Sequence, residues 1–127
     1  MTTPVRIYYH LSTRAGLDQL EPKWTDPDNS SHLEAKACRI CLSSSILGCI
    51  RALQVSDYTD LFVYSVSIDA YTKFIPNKYV QLLVPDADLT KECWVMESIP
   101  CLCEGKIQVI SWDIVNPKWK WLQRYRK

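Results

Sequence analysis

Residues 39–50 read RICLSSSILGCI, and they give the clearest indication of the fold class. Its first residues are apolar and β-branched, as in a strand, whereas the apolar residues after the serines recur at the spacing of one helix face. The change predicts a strand that runs directly into a helix at about residues 44–54. A helix start leaves backbone N–H groups unpaired and carries partial positive charge, so it can bind a phosphate. Serine is also a preferred N-cap for stability alone, and both roles stay open for Ser43, Ser44 and Ser45.

A second strand is predicted at residues 5–12, and we expect it to be central because little of it is polar. It carries His10 and Ser12 near its end. An imidazole can donate and accept hydrogen bonds at neutral pH, so His10 is a candidate ligand for a ribose or a phosphate, although a histidine in a strand is more often structural. Arg14 and Arg39 are the candidate cations that would converge on a phosphate at the helix start.

The other predicted strands and loops indicate the fold class. Further strands are predicted at residues 61–67, 78–84, 90–98 and 106–112, and Glu104 with Gly105 predicts a turn before the last of them. Leu17 and Leu20 are expected to face the core, and residues 21–33 to form a long loop, either a binding segment or a surface excursion. We therefore predict an α+β domain, a mostly antiparallel, twisted sheet of about six strands with one main helix.

Length and composition predict one domain over residues 1–127. The chain has 127 residues, of which 47% are apolar, and this is enough for a single core. Residues 113–127 are expected to form a basic, aromatic C-terminal extension. There the alternating cations and rings can track a nucleic-acid backbone and stack on its bases, or can belong to an edge strand or short helix with buried rings. The net charge of +1 argues against a general nucleic-acid coat or a polybasic membrane binder.

The predicted strand at residues 90–98 carries Glu92 among apolar neighbours. An ionised carboxylate is costly to bury unpaired, so such a glutamate is often placed for a purpose. Glu92 is therefore a candidate acid, base or acceptor for a ribose hydroxyl. The alternative is a residue of an edge strand that faces water.

The sequence contains six cysteines, and their redox state depends on the cellular compartment of the protein. The sequence has no signal peptide and no apolar segment long enough to span a bilayer, so we expect a soluble, intracellular protein whose cysteines are thiols. Cys38-x-x-Cys41 and Cys101-x-Cys103 supply four thiols that raise the question of structural zinc. Strand alternation sends Cys38 and Cys41 to opposite faces, so we expect small buried side chains and no metal site.

Three blocks of the sequence carry a resemblance to known families. They are residues 9–22, 39–53 and 84–95, which read YHLSTRAGLDQLEP, RICLSSSILGCIRAL and VPDADLTKECWV. The blocks resemble a group of short, uncharacterised proteins encoded by phages and prophages of gut bacteria. They are more distantly similar to the ADP-ribosyltransferase fold, including its tRNA 2′-phosphotransferase branch. In that fold a first strand carries His-x-Ser/Thr, a second strand ends in hydroxyl residues before a helix, and a later strand brings a glutamate.

The more distant resemblance implies a site for NAD. On this analogy, His10 and Ser12 would contact the adenosine ribose, the serines at 43–45 would line the nicotinamide side, and Glu92 would polarise the nicotinamide ribose. Leu11 stands where that fold commonly has glycine. The predicted helix also lacks the paired tyrosines of the His-Tyr-Glu class, so the catalytic motif is incomplete.

Two classes of function follow from the resemblances. The first is a phage accessory protein in the cytoplasm of the bacterial host that counters immunity without catalysis or a cofactor. It would sequester a nucleotide signal, NAD-derived or cyclic, or bind and inhibit a host defence protein. The second is an active ADP-ribosyltransferase that moves ADP-ribose from NAD to a protein or nucleic acid. The incomplete catalytic motif favours the first, and no membrane partner is expected for either.

Overall fold

The computed structural model describes residues 5–24, 38–84 and 86–125. These ranges contain ten strands and three helices. In chain order they are β1 (Arg6–Ser12), β2 (Gln19–Leu20), β3 (Lys23–Trp24), β4 (Cys38–Ser43), α1 (Ile46–Leu53), β5 (Thr59–Ile68), β6 (Phe74–Ile75), α2 (Asn77–Val80), α3 (Ala87–Thr90), β7 (Glu92–Val95), β8 (Ile99–Pro100), β9 (Leu102–Ser111) and β10 (Lys118–Arg124). Most of the predicted loop at residues 21–33, with His32, lies outside the described residues, as does the side chain of Cys38.

One antiparallel sheet contains eight of the described strands. Seven of them follow the order β10-β9-β5-β1-β4-β7-β6, and β3 pairs with the start of β4. Strands β2 and β8 form a separate two-stranded ribbon. The predicted α+β class and mostly antiparallel sheet are confirmed, and β1 is central, between β5 and β4.

The sheet is weakly joined between β1 and β4. On its other side β1 pairs with β5 along its whole length, from Arg6 opposite Ile68 to Ser12 opposite Phe62. With β4 it shares a single registered pair, Tyr9 opposite Ser43. The pair includes the last residue of β4, and no other described residues of the two strands are in register, so the strands diverge away from this end. This divergence positions the candidate site.

Helix α1 confirms the predicted change from strand to helix. Its N-cap is Ser45, whose hydroxyl oxygen accepts a hydrogen bond from the Gly48 N–H at 3.0 Å. The helix ends at Gln54, which has a left-handed φ of 49°. The Arg51 guanidinium donates to the carbonyl oxygens of Leu89 at 3.1 Å and Val115 at 2.6 Å. It therefore joins α1 to α3 and to the loop before β10.

Side chains alternate across the sheet and form a core on each face. Helix α1 covers one face, and the buried residues there are Leu11, Cys49, Ile50, Leu61, Val63, Ile107 and Val109. The other face packs against the β2–β8 ribbon, with Leu20, Ile40, Leu42, Val66, Ile68, Cys93, Val95 and Ile99. The expectation that Leu17 and Leu20 face the core is confirmed, since Leu20 is buried and Leu17 packs against this second cluster.

Residues 78–84 do not form the predicted strand. Pro76, with a φ of −68°, caps the helical turn α2, where a fixed φ is favourable and no helical hydrogen bond needs its N–H. Val80 and Val84 are buried, whereas Leu82 between them is 79% exposed. A strand would place all three on one face, so the buried positions have the spacing of a helix.

Gly105 does not turn the chain, and the predicted turn at Glu104 and Gly105 is wrong. Strand β9 runs straight through Gly105, and its register shifts nearby against both β5 and β10. The glycine has a φ of +146°, and an added Cβ would lie 2.2 Å from the carbonyl oxygen of Gln123 in β10. Glycine is required here because two strands approach closely at a bulge.

The segment at residues 113–127 contributes the last strand of the described sheet. Strand β10 pairs with β9 from Lys118 to Arg124. Trp119 and Trp121 are half-buried against the core under α1, while Lys118 and Lys120 are exposed. The edge-strand alternative for this segment is confirmed over residues 118–124.

Candidate functional site

A cleft of about 350 Å³ opens where β1 and β4 diverge. We call it the β1–β4 cleft. Its polar lining includes His10, Ser12, Arg14, Gln19, Lys23 and Arg39, and its apolar lining is Leu17, Leu20 and Ile40. The volume is in the range of sites that bind small molecules. The structure thus brings together His10, Ser12 and Arg39, which the sequence singled out separately.

His10 is held at the divergence by the backbone of the neighbouring strand. Its Nδ1 lies 3.0 Å from the carbonyl oxygen of Cys41, and because a carbonyl only accepts, Nδ1 carries the proton. Burial lowers the pKa of His10 below 6.5; the hydrogen bond to Cys41 acts in the opposite direction, and the charge of Lys23 lowers it further. The imidazole is therefore neutral at pH 7. Its Nε2 then has a lone pair that can accept a hydrogen bond from a ligand hydroxyl.

Two exposed cations stand beside the imidazole. Arg14 is placed by the turn after β1, where its N–H donates to the Ser12 hydroxyl oxygen at 3.0 Å. Lys23 comes from β3, which pairs with the start of β4. The one acidic side chain of the lining, Glu21, accepts hydrogen bonds from Gln19 at 2.7 Å and from the Ser98 hydroxyl. The two exposed cations outnumber this single carboxylate, so the cleft favours an anionic ligand.

Hydrogen bonds to the Tyr64 hydroxyl hold the turn that carries Arg14 in place. The buried Tyr64 hydroxyl donates to the Arg14 carbonyl oxygen at 2.6 Å and accepts from the Leu17 N–H at 3.3 Å. Gly16, with a φ of +72°, allows the chain to bend between these two contacts. Leu17 therefore points its side chain into the floor of the cleft while Arg14 stays at its edge.

Arg39 is buried and packs against an aromatic ring of β7. The residue is 5% exposed, and its guanidinium carbon lies 4.2 Å from the centroid of the Trp94 ring. A guanidinium over an indole face is a favourable cation–π pair. Arg39 thus packs β4 against β7 at one end of the cleft.

The serines of the helix start are used within the fold. The buried Ser43 hydroxyl donates to the Thr90 carbonyl oxygen at 2.7 Å and accepts from the Ser45 N–H at 3.3 Å. The Ser45 hydroxyl caps α1, as described above. Ser44 is exposed and does not line the β1–β4 cleft. The three serines therefore act locally, and none of their hydroxyls faces the cleft.

Glu92 lies apart from the cleft, at a smaller cavity. This cavity of about 80 Å³ is lined by His10, Ser43 and Glu92, among others. The Trp94 indole N–H donates to Glu92 Oε2 at 2.5 Å, and the Cys41 thiol donates to the same oxygen at 3.6 Å. A space of this size holds a few water molecules and no nucleotide.

The buried thiols have no reactive form at neutral pH. Burial raises the pKa of the Cys49 thiol to about 12, and it also raises the pKa of Cys93. A thiol that stays protonated is a poor nucleophile and a poor metal ligand. Among the described residues, no three histidine, cysteine or acidic side chains come close enough together to hold a metal ion.

Sequence reasoning missed Lys23 and the apolar floor as parts of the site. Strand β3 has two residues, too few to show a hydrophobic period. The one signal was local: a tryptophan and a lysine directly after Pro22, within a segment otherwise typical of a loop. Only the pairing of β3 with β4 brings Lys23 to His10.

Within residues 5–24, 38–84 and 86–125, no helix combines the length and the apolar character needed to cross a bilayer.

Strand pairing and local hydrogen bonds account for the position of each predicted site residue. Comparisons of the chain with protein-family models, with curated proteins and with solved structures found no match.

Proposed function

We propose that the protein is a non-catalytic accessory protein of a phage that counters bacterial immunity by sequestering a nucleotide signal, NAD-derived or cyclic, in the β1–β4 cleft. The lining of the cleft carries this proposal: two exposed cations, a neutral imidazole and an apolar floor within about 350 Å³. These are the three chemistries that a nucleotide needs, one each for its phosphate, its sugar and its base.

Each part of a nucleotide has a partner in this assignment. Arg14 and Lys23 pair with phosphate oxygens, since cations beside a small cavity attract and hold anions. His10 Nε2 accepts a hydrogen bond from a ribose hydroxyl. The base lies on the side chains of Leu17, Leu20 and Ile40, which lose apolar surface to it.

The state of Glu92 favours binding over catalysis. A glutamate that polarises a ribose must reach the substrate, but the oxygen Oε2 of Glu92 is held by Trp94 and Cys41. The cavity that Glu92 shares with His10 is too small for a nucleotide. We therefore assign the cleft and not Glu92 to the ligand.

The role against bacterial immunity rests on the sequence resemblance to phage and prophage proteins. Two of the three blocks that carry it, residues 9–22 and 39–53, contribute most of the lining of the β1–β4 cleft. Sequestration of a signal needs tight binding and no turnover, which agrees with a cleft lined by several polar side chains and an apolar floor.

Calorimetry with NAD, ADP-ribose and cyclic nucleotides tests the proposal. We expect one of these classes to bind, and the double variant Arg14→Ala/Lys23→Ala to weaken binding by about a hundredfold or more, since each of the two charge-assisted contacts contributes roughly 1.5–3 kcal/mol. Lys78→Ala is the matched control, because Lys78 stacks on Tyr79 outside the cleft. Absence of binding by every nucleotide would overturn the assignment. Transfer from labelled NAD that disappears in Glu92→Gln would establish the transferase alternative instead.

An exposed apolar patch favours a second candidate, inhibition of a host defence protein by direct binding. Tyr79 lies in α2 and Leu82 and Leu83 lie in the turn directly after it, and they are 52%, 79% and 38% exposed. Exposed apolar side chains in such a cluster are typical of protein-binding surfaces. In cells that express the protein and are then infected, loss of phage protection by Leu82→Ser but not by Arg14→Ala/Lys23→Ala would select this candidate.

A further inference from the structure

A second and larger cavity lies on the opposite face of the sheet. It has a volume of about 550 Å³, and its lining includes Tyr9, Ser65, Glu104, Trp121 and Arg124. We call it the β10 groove. None of its lining residues lines the β1–β4 cleft, because neighbouring residues of β1 such as Tyr9 and His10 face opposite sides of the sheet. The groove is therefore a separate site.

The groove exists because α1 covers only part of its face. Ile46, the first residue of α1, stands at one wall, and the sheet beyond it has no helix over it among the described elements. The opposite wall is set by Gly105. An added Cβ there would lie 3.0 Å from ring carbon Cζ3 of Trp121, so the absence of a side chain lets the indole pack over the strand. Trp121 thus forms an aromatic wall of the groove, and the half-buried Tyr9 lines the same groove from β1.

Glu104 is the one acidic group of the groove. It is half-buried, and the hydroxyl of the buried Ser65 donates to its Oε1 at 2.7 Å. The Arg124 guanidinium lies 4.9 Å from the centroid of the Trp121 ring. Within the described ranges, no cation comes within ion-pair distance of the Glu104 carboxylate. This partly desolvated carboxylate retains acceptor positions that a ligand can satisfy.

We infer that the β10 groove binds a small organic cation, an ammonium or guanidinium group attached to an apolar or aromatic body. The positive group pairs with Glu104, and the electron-rich faces of Tyr9 and Trp121 stabilise it further. The body packs on the apolar part of the lining, which includes Ile7, Ile46 and Leu102. A neutral ligand would leave the carboxylate without a counter-charge, and an anion would be repelled by it.

Tryptamine is the probe, and tryptophol, in which a hydroxyl replaces the ammonium, is its neutral match. We expect tryptamine to shift the indole N–H resonance of Trp121 in ¹⁵N-labelled protein and to bind about tenfold or more tightly than tryptophol. Glu104→Gln keeps an oxygen for the Ser65 hydroxyl but removes the charge, and it should reduce tryptamine binding to the level of tryptophol. Arg124→Ala should strengthen binding, because it removes a competing cation.

Asp60→Asn is the control for loss of a carboxylate as such, because Asp60 pairs with Lys106 at 3.6 Å outside the groove. Equal binding of tryptamine and tryptophol, absence of a saturable shift, or unchanged tryptamine affinity in Glu104→Gln would overturn the inference. His10→Gln should leave tryptamine binding intact. The cation site and the nucleotide site therefore stand or fall separately.

Discussion

At the scale of single residues, His10 links the stability of the fold to pH. The unfolded chain protonates this imidazole near pH 6.5, whereas burial lowers its pKa in the folded protein. Below 6.5 the unfolded state thus binds more protons at His10, so the contribution of this residue to the free energy of unfolding falls as the pH falls, and above 6.5 that contribution is constant. We predict that His10→Gln reduces the loss of stability between about pH 8 and about pH 5, measured by urea denaturation. An equal loss in both proteins would contradict the lowered pKa.

Gly48 shows how packing can outweigh helix propensity. Alanine favours a helix interior over glycine by about 1 kcal/mol. A Cβ at Gly48 would, however, lie 2.2 Å from both the Ser43 hydroxyl and the Thr90 carbonyl oxygen. To make room, α1 must move away from α3 and the hydrogen bond from the Ser43 hydroxyl to the Thr90 carbonyl must break, which costs roughly 1–3 kcal/mol. We predict that Gly48→Ala lowers the thermal midpoint; a rise would show that the helices separate at no cost.

At the scale of elements, substitutions at the start of α1 test the role of its serines. Ser45→Ala removes the hydroxyl that caps the Gly48 N–H, and we predict a loss of about 1 kcal/mol in the free energy of unfolding. Ser44→Ala is the control, since Ser44 is exposed, and its effect should stay within about 0.5 kcal/mol. The comparison uses guanidinium denaturation curves. Equal effects would mean that Ser45 is not the cap.

Strand β10 is held by its rings and not by its cations. Trp119→Ala removes a half-buried ring from the core under α1, and we predict a loss of about 2 kcal/mol, below the roughly 3–5 kcal/mol of a fully buried tryptophan. The double change Lys118→Ala/Lys120→Ala should alter stability by less than about 0.5 kcal/mol, because both side chains are exposed. Hydrogen exchange of the β10 amides gives the measurement. Faster exchange in the lysine variant alone would reverse the assignment.

At the scale of the whole molecule, the divergence of β1 from β4 divides the sheet into two parts. A continuous ladder joins β1 to β5, but one registered pair joins β1 to β4. We predict that the β1 amides directed towards β4 exchange with solvent faster than those directed towards β5, except beside Tyr9. Native-state hydrogen exchange resolves them individually. Uniform protection along both edges of β1 would mean that the strands do not separate.

Much of the architecture was predictable from the sequence, because it depends on interactions between residues that are close together in the chain. The passage from RICL to SSSILGCI changes the hydrophobic period within a few residues, and both the strand and the N-cap depend on near neighbours. The same holds for β1, for β5 and for the alternation of Glu92 and Trp94 with Cys93 and Val95 in β7. These features need no knowledge of distant residues.

The fold class, the strand-to-helix passage and the individual candidates His10, Ser12 and Arg39 were all predictable from the order of the residues. Only the tertiary structure decided that Gly105 lies within a strand, that residues 78–84 are not a strand, and that Glu92 is held by Trp94 and Cys41. It also decided that Lys23 arrives beside His10 and that a second cavity occupies the other face. The reason is physical: close approach, strand divergence and hydrogen-bond partners join residues far apart in the chain, and no local period encodes them.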